Sequence, residues 1–201
     1  MGLDILGWVE CFDPTSVRWV GVVKLAPVIA ERNSDVFAWL FGVRWNSDNP
    51  LHQDLPPVAA KRGLPADVSH EATRDYANTV ALYPTEYFGA SWVTLGEVQA
   101  IDWEQPIEER ITASRHGQYP FGTHYWRSEF VQRHADLLPG PPDTLQPGME
   151  WRVGDLDYRV EAMRRRDALD PGWQVLFRVM DTLASRWNDA SLVRLVVWFG
   201  R

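Results

Sequence analysis

Near the end of the chain, residues 192–199 read Leu-Val-Arg-Leu-Val-Val-Trp-Phe. Seven of these eight residues are apolar, a run that is typical of a strand buried on both faces of a sheet. The exception, Arg194, would carry a charge into that interior, so it needs a carboxylate partner. Asp4 or another carboxylate could serve, and we expect a structural ion pair. The alternative is that Arg194 forms the floor of a polar pocket.

Strands and helices before this stretch predict the fold class. An Asp-Pro pair at residues 170–171 marks a helix start, because aspartate caps helices and proline suits the first helical position. Alternating and β-branched residues at 3–12 and 17–25 predict two strands that pair as a hairpin. Strands at both termini with helices between them favour a single α+β domain over residues 1–201. We expect a mixed, mostly antiparallel sheet that contains the N- and C-terminal strands and is packed by short helices.

Shorter elements are expected in the middle of the chain. Capping residues predict three helix starts, at Asn33 or Ser34, at Asp67 or Ser69, and at Thr94 or Gly96. Residues 103–114 are acidic, and we expect them to be helical after Pro106. Residues 115–150 are rich in proline and glycine. They predict a long irregular excursion with one helix at 128–137.

Composition narrows the classes of function. Hydrophobic residues make up 45% of the 201 residues and charged residues 23%, values that exclude wholesale disorder. Lysine and arginine number 20 against 27 acidic residues, a net charge of -7. That charge disfavours nucleic acid as a partner and favours a basic protein. The 11 tryptophans suit either core anchors or a binding surface.

Cysteine count and hydropathy predict where the protein resides. Cys11 is the single cysteine, which excludes an internal disulfide framework and a thiolate zinc cage. No apolar run approaches the roughly 20 residues that a membrane helix needs, and the N-terminus lacks a signal-peptide pattern. We therefore expect a cytoplasmic protein with no membrane partner.

Familiar catalytic motifs are missing from the sequence. It contains no Gly-x-Ser-x-Gly, no Walker motif and no Gly-x-Gly-x-x-Gly. No two of its five histidines stand at the spacing that places two metal ligands on one helix face. We therefore expect no metal and no cofactor. Whether the chain is an enzyme stays open.

Five segments, in order along the chain, resemble a family of uncharacterised proteins from phages, prophages and actinobacterial genomes. They are residues 1–5 (MGLDI), 32–38 (RNSDVFA) with Val43 and Arg44, 62–69 (RGLPADVS), 91–95 (SWVTL) with Glu97, and 193–199 (VRLVVWF). Members usually open with Gly-Cys-Asp-Ile-His and end with Val-Arg-Leu-Val-Phe-Trp-Phe-Asp. Here Leu6 replaces the first histidine, residues 88–91 replace a His-Ser stretch, and Gly200 follows Phe199. The usual histidines of the family are therefore absent.

The resemblance implies the kinds of genome in which similar proteins occur rather than a mechanism, because the family has no established activity. The absent histidines argue for a binding role, or for a centre that never needed histidine. Polar residues of the resembling segments could converge on one pocket, and these candidates are Asp4, Arg32, Asn33, Asp35, Arg62, Asp67 and Ser91. A loop arginine and an asparagine at a helix start can both bind an anion. The alternative is that Asn33 and Asp67 are helix caps and the arginines pair with them.

Three functions from different classes follow. The first is a small, soluble, acidic binding protein of the immunity or anti-defence type, which engages a basic protein through aromatic and carboxylate groups. Its candidate contacts lie in the 115–150 excursion and are Tyr119, Phe121, Tyr125 and Trp126. The alternative is an enzyme or small-ligand binder whose polar pocket takes a nucleotide-like or phosphorylated ligand. A structural or oligomerisation role rests only on the apolar C-terminal strand.

Overall fold

The computed structural model describes residues 3–29, 33–43, 56–119 and 122–200, and these form two sheets with several short helices. The strands are β1 (Asp4–Asp13), β2 (Arg18–Lys24), β3 (Tyr87–Thr94), β4 (Pro106–Arg115), β5 (Thr123–Trp126), β6 (Glu150–Val153), β7 (Leu156–Arg164) and β8 (Val193–Gly200). The helices are α1 (Ser34–Phe41), α2 (His70–Leu82), α3 (Leu95–Gln99), α4 (Arg127–Arg133) and α5 (Pro171–Ser185). Short 3-10 helices occupy Ala135–Leu137, Pro142–Thr144, Arg165–Ala168 and Ala190–Leu192. The expected α+β class is confirmed.

Two compact units divide the chain. The first unit comprises Met1–Asp102 and Leu169–Arg201, and the second comprises Trp103–Ala168. The first unit holds a four-stranded sheet of order β2-β1-β8-β3, and the second holds one of order β5-β4-β7-β6. The sequence predicts one mixed, mostly antiparallel sheet. The described residues form two sheets, and each pairing within them is antiparallel.

The N- and C-terminal strands are the two central strands of the first sheet, as predicted. All 8 residues of β8 are buried, which confirms the strand expected from its apolar run. Gly7 lets β1 approach β8 closely, because a Cβ at this position would lie 2.0 Å from the carbonyl oxygen of Val196. Strand β8 is therefore enclosed by its neighbouring strands as well as by helices.

Helices cover both faces of the first sheet. On one face, the ring of Phe37 in α1 lies 5.2 Å from that of Phe199 and 6.3 Å from that of Trp173 in α5, between centroids. Side chains alternate along a strand, so the neighbouring Trp198 points to the other face. There its ring lies 5.5 Å from that of Tyr76 in α2. The apolar residues of β8 thus pack against helices on both faces of the first sheet.

Capping residues start four of the helices. The side chains of Asn33, Ser69, Thr94 and Asp170 each accept a hydrogen bond from a backbone N–H in the first turn of the helix that follows. These starts were expected from the sequence and are confirmed. The helix α5 is 15 residues long. In the part of the chain that the structure describes, no helix is long and apolar enough to cross a bilayer.

The second sheet has its own hydrophobic core, on the side of α4. Phe130 of α4 is buried there with Ile111, Leu145, Tyr158 and Val160. The rings of Phe130 and Tyr158 lie 5.6 Å apart. This core makes the second unit compact without drawing on the residues of the first.

Residues 103–114, which we expect to be helical after Pro106, instead contain most of β4. The helical prediction is wrong because the apolar Ile111 lies between the polar Arg110 and Thr112, and such alternation, with a period of two, is that of a strand. The acidic composition of the segment is typical of a solvated helix, and it obscures this alternation. Strand β4 then pairs with both β5 and β7.

The segment 115–150, predicted to be a long irregular excursion, contains β5, α4 and two of the 3-10 helices between its turns. In β5, Tyr125 lies opposite Ile111 of β4, and its ring lies 5.5 Å from that of Phe130. The proline- and glycine-rich turns therefore connect elements that share a core. The helix expected at 128–137 is found as α4 and the 3-10 helix after it.

Candidate functional site

The residues predicted to form one polar pocket lie at different places in the first unit. Asp4 begins β1 opposite Gly200, whereas Asn33 caps α1 and donates to Asp170 Oδ2 over 3.2 Å. Asp35 lies in the first turn of α1. Three others, Arg62, Asp67 and Ser91, lie around one end of β3 and β8, and Arg32 lies outside the described residues. The structure therefore brings together only part of the predicted set.

Arg194 is neutralised by two carboxylates. Its side chain is 3% exposed, and it donates from Nε to Glu10 Oε2 over 2.7 Å and from Nη1 to Asp67 Oδ1 over 2.7 Å. Glu10 is itself buried, and its other oxygen accepts from the backbone N–H of Ser69. The expected structural ion pair is confirmed, with Glu10 and Asp67 as its carboxylates. Asp4 lies at the far end of β1, about 20 Å from Glu10 at the usual strand rise.

Two tryptophans enclose the same guanidinium. Arg194 Cζ lies 3.8 Å from the ring centroid of Trp19 and 5.7 Å from that of Trp92. Trp19 also donates from Nε1 to Asp67 Oδ2 over 2.9 Å. Partial burial raises the pKa of Asp67, but hydrogen bonds from Arg194 and Trp19 outweigh it and hold that pKa below its usual value. Asp67 therefore stays charged at neutral pH, as its cation requires.

Arg62 is engaged just as fully. Its guanidinium donates to both oxygens of Glu97, at 2.7 and 3.1 Å, and lies 4.9 Å from the ring of Trp92. Its backbone N–H donates to Ser91 Oγ over 3.4 Å, and the buried Ser91 hydroxyl donates to the carbonyl of Ala59. These contacts favour a structural role for Arg62, Asp67 and Ser91, because their polar groups are used within the fold.

A different set of polar residues lies in the second sheet, on the face opposite α4. This polar face consists of Arg110, Thr112 and Ser114 of β4, His124 of β5, Glu150 and Arg152 of β6, and Asp157, Arg159 and Glu161 of β7. The register places Thr112 opposite Arg159 and Ser114 opposite Asp157. Thr112 is 1% and Ser114 4% exposed, so polar groups of this face are partly built into the fold.

Ion pairs cross the polar face from strand to strand. They are Arg110–Glu161 at 2.7 Å, Arg152–Asp157 at 2.6 Å and Arg159–Glu150 at 3.5 Å. His116, in the turn after β4, places Nδ1 2.7 Å from Asp157 Oδ2 and also contacts Arg152. Among the described residues, Arg159 makes no side-chain hydrogen bond, because its one carboxylate contact is long. Its guanidinium therefore keeps donors that a ligand could use.

Tyr119 lies over the polar face. Its hydroxyl donates to Glu161 Oε1 over 2.7 Å, and its ring centroid lies 4.9 Å from Cζ of Arg159. The side chain is nevertheless 46% exposed. A ring that is held at its hydroxyl and on its face, yet remains half exposed, is well placed to contact another molecule.

Two cavities flank Tyr119. The His116 cavity has a volume of about 530 Å³, and its walls include His116, Trp151 and Arg152. The Glu161 cavity has a volume of about 610 Å³, and its walls include Arg110, Gly148 and Glu161. Tyr119 and Arg159 belong to both walls. Each volume lies within the range of roughly 300–1,000 Å³ that is usual for ligand sites.

Charge states on the polar face follow from these contacts. Burial raises the pKa of Glu161, but hydrogen bonds from Tyr119 and Arg110 outweigh it and hold that pKa below its usual value. Burial, and then the charge of Arg110, lowers the pKa of His124. The hydrogen bond to Glu161 raises the pKa of the Tyr119 hydroxyl. At neutral pH the face therefore presents an ionised glutamate, a neutral His124 and a protonated tyrosine.

The predicted partner-binding aromatics take different positions. Tyr119 is on the polar face, whereas Tyr125 packs on the α4 side, with its ring 5.5 Å from Phe130. Trp126 ends β5 and is half-buried. Phe121 lies outside the described residues. Of the three that the structure describes, Tyr119 alone is an exposed anchor.

Most residues of the polar face are not among the site residues predicted from the sequence. A signal was present at residues 156–163, Leu-Asp-Tyr-Arg-Val-Glu-Ala-Met, where every second residue from Asp157 to Glu161 is charged. Such alternation is typical of a strand with one polar and one apolar face. What the alternation could not show is that β4 carries a matching polar row beside it.

The described residues contain no group of three or more His, Cys, Asp or Glu side chains that could hold a metal ion. Arginine–carboxylate pairs, an exposed tyrosine and two open cavities are instead suited to recognition of a polar molecule. Comparison of the chain with protein-family models, with curated proteins and with solved structures found no match. The resemblance carried by the sequence motifs therefore stays an expectation.

Proposed function

We propose that this chain is a cytoplasmic binding protein and that the polar face of the second sheet contacts a protein partner. The observation that carries the proposal is Tyr119, which is anchored to Glu161 and Arg159 but 46% exposed between two cavities. Tyrosine and arginine are enriched among the residues that dominate binding energy at protein interfaces. The motif resemblance to phage-associated proteins is our reason for proposing a role of the immunity or anti-defence type.

A basic partner suits the charge of the chain. The net charge of -7 would attract a basic protein over a long range and speed its encounter. On the polar face itself, three arginines offset three carboxylates. Cationic side chains of a partner could therefore form ion pairs with Glu150 or Glu161, while one of its acidic groups accepts hydrogen bonds from Arg159.

Binding fits this face better than acid–base chemistry. A general acid or base works best when its pKa lies near the operating pH. The contacts of Glu161 hold its pKa below the usual value, and so do the hydrogen bonds of Asp157 from Arg152 and His116. Both carboxylates therefore stay ionised and paired, as recognition groups do.

A second candidate function is binding of a small phosphorylated or nucleotide-like ligand in the His116 cavity. The spare donors of Arg159 favour it, because guanidinium groups bind phosphate and carboxylate through paired hydrogen bonds. His116 and Arg152 line the same cavity and add further polar groups beside Arg159. In this case the anion would occupy the space that a partner's acidic side chain fills in the first proposal.

The test is a pulldown from host lysate with three baits: the wild-type chain, Tyr119→Ala and Trp187→Ala. Trp187 is the control because it is an aromatic residue of the first unit with a similar exposure, 38%. We expect one stoichiometric partner on the wild type and on the control. Tyr119→Ala should weaken its binding by about 30-fold, which corresponds to the roughly 2 kcal/mol of an interface hot spot.

Equal retention by all three baits would show that the polar face is not the contact surface. If no bait retains a partner, the second candidate is tested by adding inorganic phosphate or ATP to the wild-type chain. A ligand that binds only the folded state raises the melting temperature. That increase should be lost in Arg159→Gln, and an unchanged melting temperature would rule out the second candidate as well.

A further inference from the structure

One edge of the second sheet is open. Strand β6 ends the order β5-β4-β7-β6, and among the described residues it pairs with β7 alone. A strand edge presents unpaired N–H and C=O groups to which another strand can bond. Glu150 and Arg152 stand on this strand with side chains that are 66% and 51% exposed. We call the outer side of β6 the β6 edge.

Two residues of β6 direct their backbone groups to the β6 edge. Val160 N donates to Met149 O over 2.9 Å, so these two residues form a hydrogen-bonded pair just before β6 begins. Hydrogen-bonded and non-hydrogen-bonded pairs alternate between antiparallel strands. Trp151 therefore bonds to β7, whereas the N–H and C=O groups of Glu150 and Arg152 point away from β7. These backbone groups are placed to bond a further strand.

The two edge strands of the first sheet are protected. In β2, Val22 has no partner in the register, which is a bulge, and the Gly21 N–H donates to Glu71 over 3.1 Å. Along β3, Gly63 N donates to Ala90 O over 3.0 Å, so a loop runs beside that strand. Bulges and covering loops are usual means by which proteins protect strand edges. The register of β6 with β7 is regular throughout, so β6 keeps the straight edge that another strand needs.

The charges of β6 are complementary to those of a second copy of the same strand. Within one copy, Arg152 lies opposite Asp157 of β7, and Glu150 lies opposite Arg159. Antiparallel pairing about a two-fold axis at Trp151 would place Glu150 of each copy opposite Arg152 of the other. Each row of charges then alternates in sign from one β7 strand, across both β6 strands, to the other β7 strand. An axis at Glu150 or at Arg152 would instead place like charges opposite each other, which is destabilising.

The backbone and the apolar side chains favour the same register. The two charged pairs are formed by the residues that direct their backbone groups outward, so each pair can exchange both of its N–H···O bonds. Trp151 then faces its own copy as a non-hydrogen-bonded pair, in which side chains lie closest. Its ring already stacks on that of Tyr158, with 5.2 Å between centroids. Val153, which is 38% exposed, comes opposite Met149 of the second copy and loses apolar surface to water.

We propose that two copies of this chain pair along their β6 edges, which joins two four-stranded sheets into one antiparallel sheet of eight strands. The interface uses the same patch of each copy, as two-fold dimers do. Glu150 and Arg152 also line the His116 cavity, so the cavities of the two copies would lie side by side on one joined polar face. Strand β6 has only 4 residues, and we therefore expect a weak, reversible dimer. This inference goes beyond the proposed function and does not depend on a partner at Tyr119.

The test is a charge swap followed by analytical ultracentrifugation at physiological salt. We expect the mass of the wild-type chain to approach that of two copies as its concentration rises to millimolar. Arg152→Glu and Glu150→Arg should each dimerise about tenfold more weakly or worse, because symmetry repeats every like-charge contact. An equimolar mixture of the two variants should restore the dimer, since each cross-strand pair between them again has opposite charges. Restoration also shows that both variants are folded.

Two further variants separate strand pairing from general charge effects. Arg152→Pro removes an N–H that points away from β7, a change that edge strands tolerate, and should abolish the dimer while leaving the circular dichroism spectrum unchanged. Arg178→Glu makes the same charge change as Arg152→Glu on the exposed side of α5 and should leave dimerisation unchanged. A wild-type chain that stays monomeric up to millimolar concentration overturns the proposal. A dimer that both β6 charge variants leave intact, or a mixture that does not restore it, overturns it as well.

Discussion

The two sheets of this protein place their charged residues in opposite settings. In the first sheet, Arg194 and Glu10 have side chains that are 3% and 0% exposed, and helices cover both faces. In the second sheet, α4 covers one face, and Arg110 and Glu161 on the other are 32% and 13% exposed. The chemistry of the two pairs is the same, but the cost of losing a partner differs. A buried charge cannot return to water when its partner leaves, whereas a partly exposed one can.

This difference separates a structural role from a recognition role. The pair in the first sheet keeps one arrangement, because separating its members would leave a buried charge without a partner. A charged side chain on the polar face can leave its ion-pair partner and bind water or an incoming molecule instead, at a small cost in free energy. A surface that must bind something needs the second kind of pair.

The same substitution made in both sheets should give very different losses of stability. Arg194→Met should lower the free energy of unfolding by about 3–5 kcal/mol, because Glu10 is left buried without its cation. Arg110→Met should lower it by about 1 kcal/mol or less, since Glu161 keeps its bond from Tyr119 and its access to water. Urea denaturation followed by tryptophan fluorescence measures both.

A double variant serves as the control. Replacing both partners, as Glu10→Leu with Arg194→Met, should cost less than Arg194→Met alone, because no unpaired charge remains among them. Equal costs for Arg194→Met and Arg110→Met would show that burial does not distinguish the two sheets.

An intermediate effect should separate the two units by pH. The pKa of His124 in the second unit is lowered from 6.5, mainly by burial. The unfolded chain therefore binds the proton first, and the second unit should lose stability as the pH falls below about 6.5. Burial raises the pKa of Asp75 in the first unit, but hydrogen bonds from Lys24 and Trp8 outweigh the effect of burial. The pKa of Asp75 is therefore lowered from 3.8. The stability that Asp75 adds is present above about pH 4 and lost only below it.

Melting temperatures of two variants across the pH range test these windows. His124→Gln should remove the decline between about pH 7 and 5 and leave the acid limb unchanged. Asp75→Asn should alter only the limb below about pH 4. A wild-type curve that stays flat from neutral pH down to about 5 would contradict the assignment to His124.

An exposed ion pair on α4 shows how much pairing contributes to stability without burial. Glu129 and Arg133 form an ion pair at 2.8 Å on α4, with side chains 36% and 64% exposed. Glu129→Gln should change the free energy of unfolding by about 0.5 kcal/mol or less, as exposed pairs one helical turn apart do. Thermal unfolding against the wild-type chain is a sufficient measurement. A loss comparable to that of Arg194→Met would mean that pairing alone sets the cost.

Local patterns of residues were enough to predict the helix caps. The caps at Asn33, Ser69 and Asp170 depend on a side chain that reaches a backbone N–H three residues ahead, so they can be predicted from a few letters. The prediction is wrong at β4, because the acidic composition of the segment indicates a helix, whereas its alternation with a period of two is confined to Arg110–Ser114. At the candidate site, Tyr119 was predicted. Arg159 was not, because, although the two-residue turn between β6 and β7 places Glu150 opposite it, only side-chain packing decides that their contact is as long as 3.5 Å.

Three features can be predicted from the sequence alone: the α+β class, the burial of β8 and the need of Arg194 for a carboxylate. Each of these follows from composition and periodicity within one segment. Only the tertiary structure decided that Glu10 and Asp67 are the partners, because strand register places Glu10 opposite Arg194 across 184 positions of the chain. It likewise decided that two rows of alternating residues meet as one polar face. The physical reason is that a strand pattern records which residues share a face, whereas the register between strands depends on packing of the whole unit.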